Sequence, residues 1–273
     1  MRLHITHVTR HDYDRPVRAV VQSHRLTPSL FEGQAIIDWS VEVSDGIRGA
    51  QFRDGAGDMV SAWSVQGPVD SITVTVRGTV ETRDMAGMLR GHRETVPPRA
   101  YLRDTPSTRA DVALTQLALG ISDAGDNLTR AHALSTAVAE AITYSPGTTH
   151  AHTTAAEALA LGSGVCQDHA HALIACARAR GLPARYVSGY LHSDASGEAH
   201  QSSHAWAEIH LKGLGWVGFD PANECCPDER YIRLGSGLDA QDAAPIRGVA
   251  RGTGPIAGRE SLEVSVAVQA SEQ

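Results

Sequence analysis

Gly162-Ser163-Gly164-Val165-Cys166-Gln167-Asp168 opens the run GSGVCQDHAHALIACARARGLP (162–183), in which two glycines give way to a helical pattern at a cysteine. The pattern starts at Cys166 and stops at Gly181-Leu182-Pro183, so the thiol is expected in the first turn of a helix. Unpaired backbone N–H groups and a partial positive charge gather there and favour a thiolate, the nucleophilic form of cysteine. The same N–H groups suit the oxyanion of a tetrahedral intermediate, with the Cys166 amide as first donor.

Downstream lie three strand-like runs, ARYVSGYL (184–191), HAWAEIHL (204–211) and GWVGFD (215–220), the last ended by Pro221. Period-two reading of the second puts His204, Trp206, Glu208 and His210 on one face and Ala205, Ala207, Ile209 and Leu211 on the other, the core side. In the third, Val217 and Phe219 face the core, while Trp216, Gly218 and Asp220 share the polar face. A hairpin tip at Lys212-Gly213, with residue 210 opposite 214, would set His204 directly opposite Asp220 and Trp206 opposite Gly218. A one-residue slip would send Asp220 to the core. The polar run 192–203 before His204 reads either as a flap over the cleft or as a solvent loop.

Upstream, VALTQLAL, NLTRAHALSTAVAEAIT and TTAAEALALGSG read as helices, with Leu128, Ala131, Leu134, Val138 and Ile142 spaced for one buried face. Before them, residues 2–84 carry strand runs (LHITHVTRHDY, RAVVQSHRL, AIIDWSVEV, DMVSAWSVQ, SITVTVRGTVET) parted by Pro, Gly and Asp turns. Met85 to Thr108, with Pro97, Pro98 and Pro106, reads as an irregular linker. The expected fold class is therefore α+β, with an all-β domain over 1–105 and a catalytic domain over 106–273. The last run, SLEVSVAVQ (261–269), is expected to rejoin either sheet.

The 273 residues suffice for one large or two ordinary domains. Twenty-four Lys and Arg against 31 Asp and Glu give a net charge of -7, with no basic run to grip phosphates, so neither nucleic acid nor anionic lipid is an expected partner. The first residues, MRLHITHVTRHDYDRPV, alternate in polarity and lack the apolar stretch of a signal peptide or a membrane span; they read as cytoplasmic. Four cysteines, two of them adjacent, suggest no disulfide framework. Cys176 sits in an apolar helix stretch and reads as core, and Cys225-Cys226 as a loop pair.

Three blocks, GSGVCQDHAHALIACARARGLPARYVSGYL, SSHAWAEIH and GWVGFDPAN, resemble the motif blocks of the transglutaminase-like superfamily. ITHVTRHDYDRPV, FRDGAGDMVSAWSV and YIRLGSGLDAQDAAPIRGVARG resemble its bacterial branch with an N-terminal β domain. The resemblance thus covers nearly the whole chain and is most specific over the three blocks. It implies a papain-like core, with a nucleophile helix packed on an antiparallel sheet. Cys166 would be the nucleophile, His204 the general base and acid, Asp220 the group orienting His204, and Trp206 a residue shaping the cleft. The chain departs from the family pattern at His169, where an aromatic is usual and which therefore bears on the pocket, and in FDPAN where FDPTN is commoner. Gln167 and Asp168 either line the substrate pocket or simply occupy the first helical turn.

Fourteen histidines raise the question of a metal. His169 and His171 stand two apart on a helix and His4 and His7 three apart on a strand, so neither pair converges on one ion, and His150/His152 has no further partner in the pattern. No metal and no cofactor are expected, and no oxygen-rich calcium loop is present. These readings point to a cysteine-dependent acyl-transfer enzyme acting on a peptide, protein or small amide substrate through a thioester, with hydrolysis favoured. The calcium-dependent cross-linking members imply architecture that this chain lacks. The alternatives are transfer to an amine, or a binding protein with a vestigial triad.

Overall fold

In the computed structural model, which describes residues 1–193, 203–252 and 257–268, the N-terminal strand runs fuse into fewer, longer strands. β1 (Arg2–His24) and β4 (Met59–Thr82) each absorb two runs and pair antiparallel along most of their length. Pro16 and Pro68 fall at the shift in register between Asp12 and Ala19, where no ladder bond needs the N–H that proline lacks. What reads as strand, turn, strand is therefore one bulged strand. β2 (Gln34–Val43) pairs with one half of β4, and β3 (Gly46–Arg53), which the alternation did not single out, with the other.

Four helices follow where periodicity put them: α1 (Val112–Gly120), α2 (Asn127–Ala141), α3 (Ala155–Leu161) and α4 (Cys166–Ala179). Asp111, Asp126 and Thr154 cap the first three by accepting from the amides of Leu114, Thr129 and Glu157. Between them, β5 (Thr143–Tyr144) and β6 (Ser163–Gly164) form a short parallel pair. The second sheet comprises β7 (Ala184–Leu191), β8 (Ser203–Leu211), β9 (Gly215–Phe219) and β10 (Tyr231–Gly237), antiparallel in the order β10-β7-β8-β9. Every residue of α4 from Asp168 to Arg178 is buried, which makes it the central helix of this half. Its apolar side chains share one core with Ala205, Ala207, Ile209 and Leu211, the face of β8 assigned to the core.

Two further strands, β11 (Ile246–Arg251) and β12 (Gly258–Val268), pair antiparallel with β1, so the end of the chain rejoins the N-terminal sheet. Position 269 of the expected last strand lies outside the described residues. The linker after β4 has little regular structure but covers the edge of β9, through an isolated bridge of Met88 to Val217 and the bonds Gly218 N–H to Gly87 O and Leu89 N–H to Trp216 O. Among the described residues no helix is long and apolar enough to cross a membrane.

The even face of β8 is not the open polar face that its sequence suggests, because the loop at Ser29, the turn at Asp58 and the linker at Glu94 lie over it and over its neighbours Arg185 and Arg233. On the opposite face Tyr190 and Ile232 join the core of the N-terminal sheet, whereas the even face carries a buried chain of charges. Glu208 accepts from Arg185 Nε at 2.7 Å and from Arg233 Nε at 2.8 Å, and Arg233 Nη1 reaches Asp58 Oδ1 at 2.7 Å. Asp58 also accepts from the amide and hydroxyl of Ser236. Arg185 pairs in addition with Glu94 and lies 4.0 Å from the centre of the Trp216 ring. Burial alone would raise the Glu208 pKa, but the Arg233 and Arg185 guanidinium groups overcome it and bring it down to about 2.

Glu208→Gln leaves two buried guanidinium groups without their shared counter-charge and is expected to cost about 3–5 kcal/mol, read as a lower denaturant midpoint. Since the folded pKa is depressed, the stabilisation is present above the ordinary carboxyl range and is lost as pH falls toward 2. Wild type and Glu208→Gln should converge in stability as the solution is acidified, and parallel curves would show that another group governs acid unfolding.

Candidate active site

The start of α4 is fixed from two sides. Parallel pairing sets Tyr144 beside Gly164, and the Ser145 amide donates to Gly164 O at 2.8 Å. A Cβ at Gly164 would come within 2.7 Å of the Asp168 Cβ, so the residue has to be glycine for the loop to turn this tightly. Asp168 Oδ2 accepts from the Val165 amide at 2.8 Å and the Thr149 hydroxyl at 2.6 Å, closing the first turn. The helical ladder begins with the amides of Asp168 and His169, both donating to Val165 O. The amides of Cys166 and Gln167 precede it and are the first-turn donors that an oxyanion would meet.

His204 opens β8, and its Nε2 lies 2.6 Å from Asp220 Oδ2. The hairpin joining β8 to β9 differs from the expected one by two residues: Leu211 pairs with Gly215, His210 with Trp216 and Glu208 with Gly218. The loop is Lys212-Gly213-Leu214, with Leu214 N–H donating to Leu211 O, and Gly213 and Gly215 both adopt positive φ (89° and 82°). A shift of two keeps every residue on its face, so His204 and Asp220 remain on one side as diagonal rather than direct neighbours. Gly218 faces Glu208 in register, and a Cβ there would press on Pro227 at 2.9 Å and stand 3.5 Å from Trp206.

Asp220 is fully buried, and its Oδ2 also accepts from Asn223 Nδ2 at 2.8 Å and the Tyr231 hydroxyl at 2.8 Å, while Oδ1 accepts from the Ala222 amide at 3.1 Å. Burial acts to raise the Asp220 pKa, but His204, Asn223 and Tyr231 outweigh it and hold the carboxyl below its usual value. For His204, burial opposes the imidazolium; the Asp220 carboxylate and the Cys166 sulfur, the latter within hydrogen-bonding reach, prevail and raise the pKa to about 10. With Nε2 engaged by Asp220, exchange with Cys166 falls to Nδ1. A thiol beside an imidazole held in this way is an arrangement that can supply a nucleophile and an acid for a leaving group.

The remaining sequence candidates are placed as follows. Trp206 is 2% exposed and stacks near the His204 ring (centroids 6.3 Å, 27°), which makes it a backing for the imidazole rather than a wall open to substrate. Gln167 is half-buried and donates to Ala151 O at 3.3 Å. Asp168 lies inside the turn that it closes. His169 is buried, with Nδ1 2.9 Å from Val165 O and Nε2 2.7 Å from Ile142 O, tying the helix start to the end of α2 as a phenyl ring at this position would not. In the loop leading to α4, Tyr144 is 45% exposed beside Gly164, and the Thr148 hydroxyl donates to Ser145 O. Cys176 is buried with its thiol pushed up to about 12 by burial and Asp111. The flap reading falls mostly on residues 194–202, outside those described. Asn223 and Tyr231 were not singled out from the sequence. Asn223 stands in the FDPAN block and Tyr231, eleven residues beyond Asp220, opens the block YIRLGSGLDAQDAAPIRGVARG, but neither block marks a contact with Asp220.

Residues 115–221 match the transglutaminase-like superfamily, and residues 3–81 match the bacterial transglutaminase-like N-terminal region. An uncharacterised protein of Mycobacterium leprae is 31% identical over 265 residues, covering 93% of this chain and 94% of that protein. A protein-glutamine gamma-glutamyltransferase of Pseudomonas aeruginosa is 34% identical over 83 residues, 28% of this chain and 12% of that protein. Among solved structures, a protein of Cytophaga hutchinsonii proposed to be a cysteine protease superposes with a TM-score of 0.77 at 20% identity, over 100% of this chain and 92% of that one; it shares the fold.

Iodoacetamide near pH 6.5 should label Cys166 rapidly and well ahead of Cys176, and His204→Ala should slow that labelling by about tenfold. Because the His204 pKa is raised, the stability drawn from its pairing is complete below the ordinary histidine range, declines as pH rises beyond it, and is gone above about pH 10, where the imidazolium is lost. Equal labelling of Cys166 and Cys176 would rule out an activated thiol.

Proposed function

The chain belongs to the transglutaminase-like superfamily, and from that premise we propose that it is a cysteine-dependent acyl-transfer enzyme that hydrolyses amide bonds. The observation carrying the proposal is the arrangement of Cys166 at a helix N-terminus, within reach of an imidazole whose other nitrogen is held 2.6 Å from Asp220. Cys166 is the nucleophile, His204 the proton carrier and Asp220 the group that orients it. The Cys166 thiolate attacks the amide carbonyl carbon, and the oxyanion meets the Cys166 amide. Collapse of the intermediate breaks the C–N bond as the His204 imidazolium gives its proton to the departing amine, leaving a thioester. Neutral His204 then takes a proton from water, whose oxygen attacks the thioester carbonyl and releases the acid and the thiolate.

Water as acceptor needs no binding site beyond these groups, whereas an amine acceptor has to be held and oriented at the thioester. That difference favours a peptidase or amidase, acting on a peptide, protein or small amide. The partial match to the Pseudomonas aeruginosa glutamyltransferase supports transfer to an amine as the second reading.

A diverse peptide and amide library is to be incubated with wild type and Cys166→Ala, with and without a primary amine, and read by mass spectrometry. Cys166-dependent cleavage is expected. Amine adducts in place of cleavage would replace hydrolysis by transfer, and no Cys166-dependent product together with slow Cys166 labelling would leave a binding protein with a vestigial triad.

A further inference from the structure

Three donors converge on one oxygen of Asp220: His204 Nε2, Asn223 Nδ2 and the Tyr231 hydroxyl. Two of them belong to segments expected at the site, but Tyr231 comes from β10, on the far side of β7 from β8. Its ring is 5% exposed and packed edge-on against Trp206 (5.5 Å, 85°) and tilted against His204 (5.8 Å, 60°), so the phenol has little freedom to turn away. Its oxygen also lies 3.3 Å from Cys225 Sγ. A phenol has one proton, and an ionised carboxylate only accepts; with that proton given to Asp220, the Tyr231 oxygen accepts from the Cys225 thiol. The result is a chain from Cys225 S–H to Tyr231 O–H to Asp220, meeting His204 at the same oxygen.

We propose that Tyr231 is a positioning residue for this site, whose hydroxyl fixes the Asp220 carboxylate and shares its charge, so that His204 remains acidic enough to release its proton. The proposal rests on the acyl-transfer reading of Cys166, His204 and Asp220. Each donor on Oδ2 takes part of the carboxylate's charge, leaving less for the bond to the imidazolium. A carboxylate bonded to His204 with fewer competing donors would hold the imidazolium more tightly and turn it into a weaker acid toward the leaving amine. The titratable and charged groups facing this cluster are Cys166 from α4, Asp220 and Cys225 after β9, and Arg230, 6.0 Å from the Tyr231 ring and itself paired with Asp228, whose charge also acts on Cys225. Burial, with Asp220 and Cys225 adding to it, raises the Tyr231 phenol far above its ordinary range, so it stays a donor wherever His204 titrates.

The test is the titration of the His204 imidazole followed by NMR, which needs no substrate, together with iodoacetamide labelling of Cys166. Tyr231→Phe keeps the ring and removes the donor; the His204 midpoint is expected to rise by about half a unit or more. On any substrate found, kcat should fall about tenfold with KM little changed. Cys225→Ala removes the outer donor and should move the midpoint in the same direction by less; it decides the matter should Tyr231→Phe not fold. A folded Tyr231→Phe, or Cys225→Ala in its place, with a midpoint unmoved or lowered would overturn the proposal. Loss of the acyl-transfer reading has a separate signature, slow and His204-independent labelling of Cys166 in the wild type.

Discussion

A single buried carboxylate between two buried guanidinium groups ties three strands of the second sheet together, and one of those guanidinium groups fastens them to the N-terminal domain. Glu208 sits at the middle of β8, with Arg185 from β7 and Arg233 from β10 on its two oxygens, and Arg233 carries the link on to Asp58 beside β4. Charges without water gain only from partners in good geometry, so this chain tolerates little sliding of one sheet over the other. His204 lies four residues along the same strand and on the same face. The register that satisfies Glu208 is therefore the register that presents the imidazole to Asp220 and Cys166.

The other constraint acts on α4. Its burial on all sides leaves no room for the helix to rotate, and the Gly164 turn, the Asp168 cap and the His169 clip fix where it begins. Cys166 can then be half-buried at a stiff helix start while its amide stays outside the ladder. Rigid elements place the reacting groups, and the loop after β9 contributes Asn223, which touches both His204 Nε2 at 3.4 Å and Asp220. The loop before β2 and the linker after β4 back this site, closing over Trp206 and Glu208 and leaving a cavity of about 40 Å³ bordered by Met88, Trp206, Glu208 and Tyr231.

Much of this was written in local patterns. Two glycines before a helical run located the Cys166 turn, and the parity of HAWAEIHL and GWVGFD put His204 and Asp220 on one face even though the hairpin closes one residue later than expected. Parity survived because the error was two residues, the period of a strand. The position of the turn was ambiguous, since Gly213 and Gly215 both accept the left-handed conformation and a three-residue loop can be drawn over 211–213 or 212–214. Pro16 and Pro68 misled for the opposite reason: the residue that ends a strand in isolation is also the one tolerated at a bulge, and only the partner strand distinguishes the two.

The sequence by itself determined what depends on neighbours along the chain: the helix start at Cys166, the two-sided strands, and the core face of α2 and β8. Tertiary structure alone decided that the even face of β8 is covered, that Tyr231 and Asn223 join His204 on one oxygen of Asp220, and that Asp168 and His169 turn inward to fasten the nucleophile loop. The physical reason is that periodicity reports whether a side chain is apolar, whereas a buried polar group is explained only by the partner that satisfies it. For Glu208, and for the Tyr231 bond to Asp220, those partners come from other strands, at distances along the chain that no local pattern encodes.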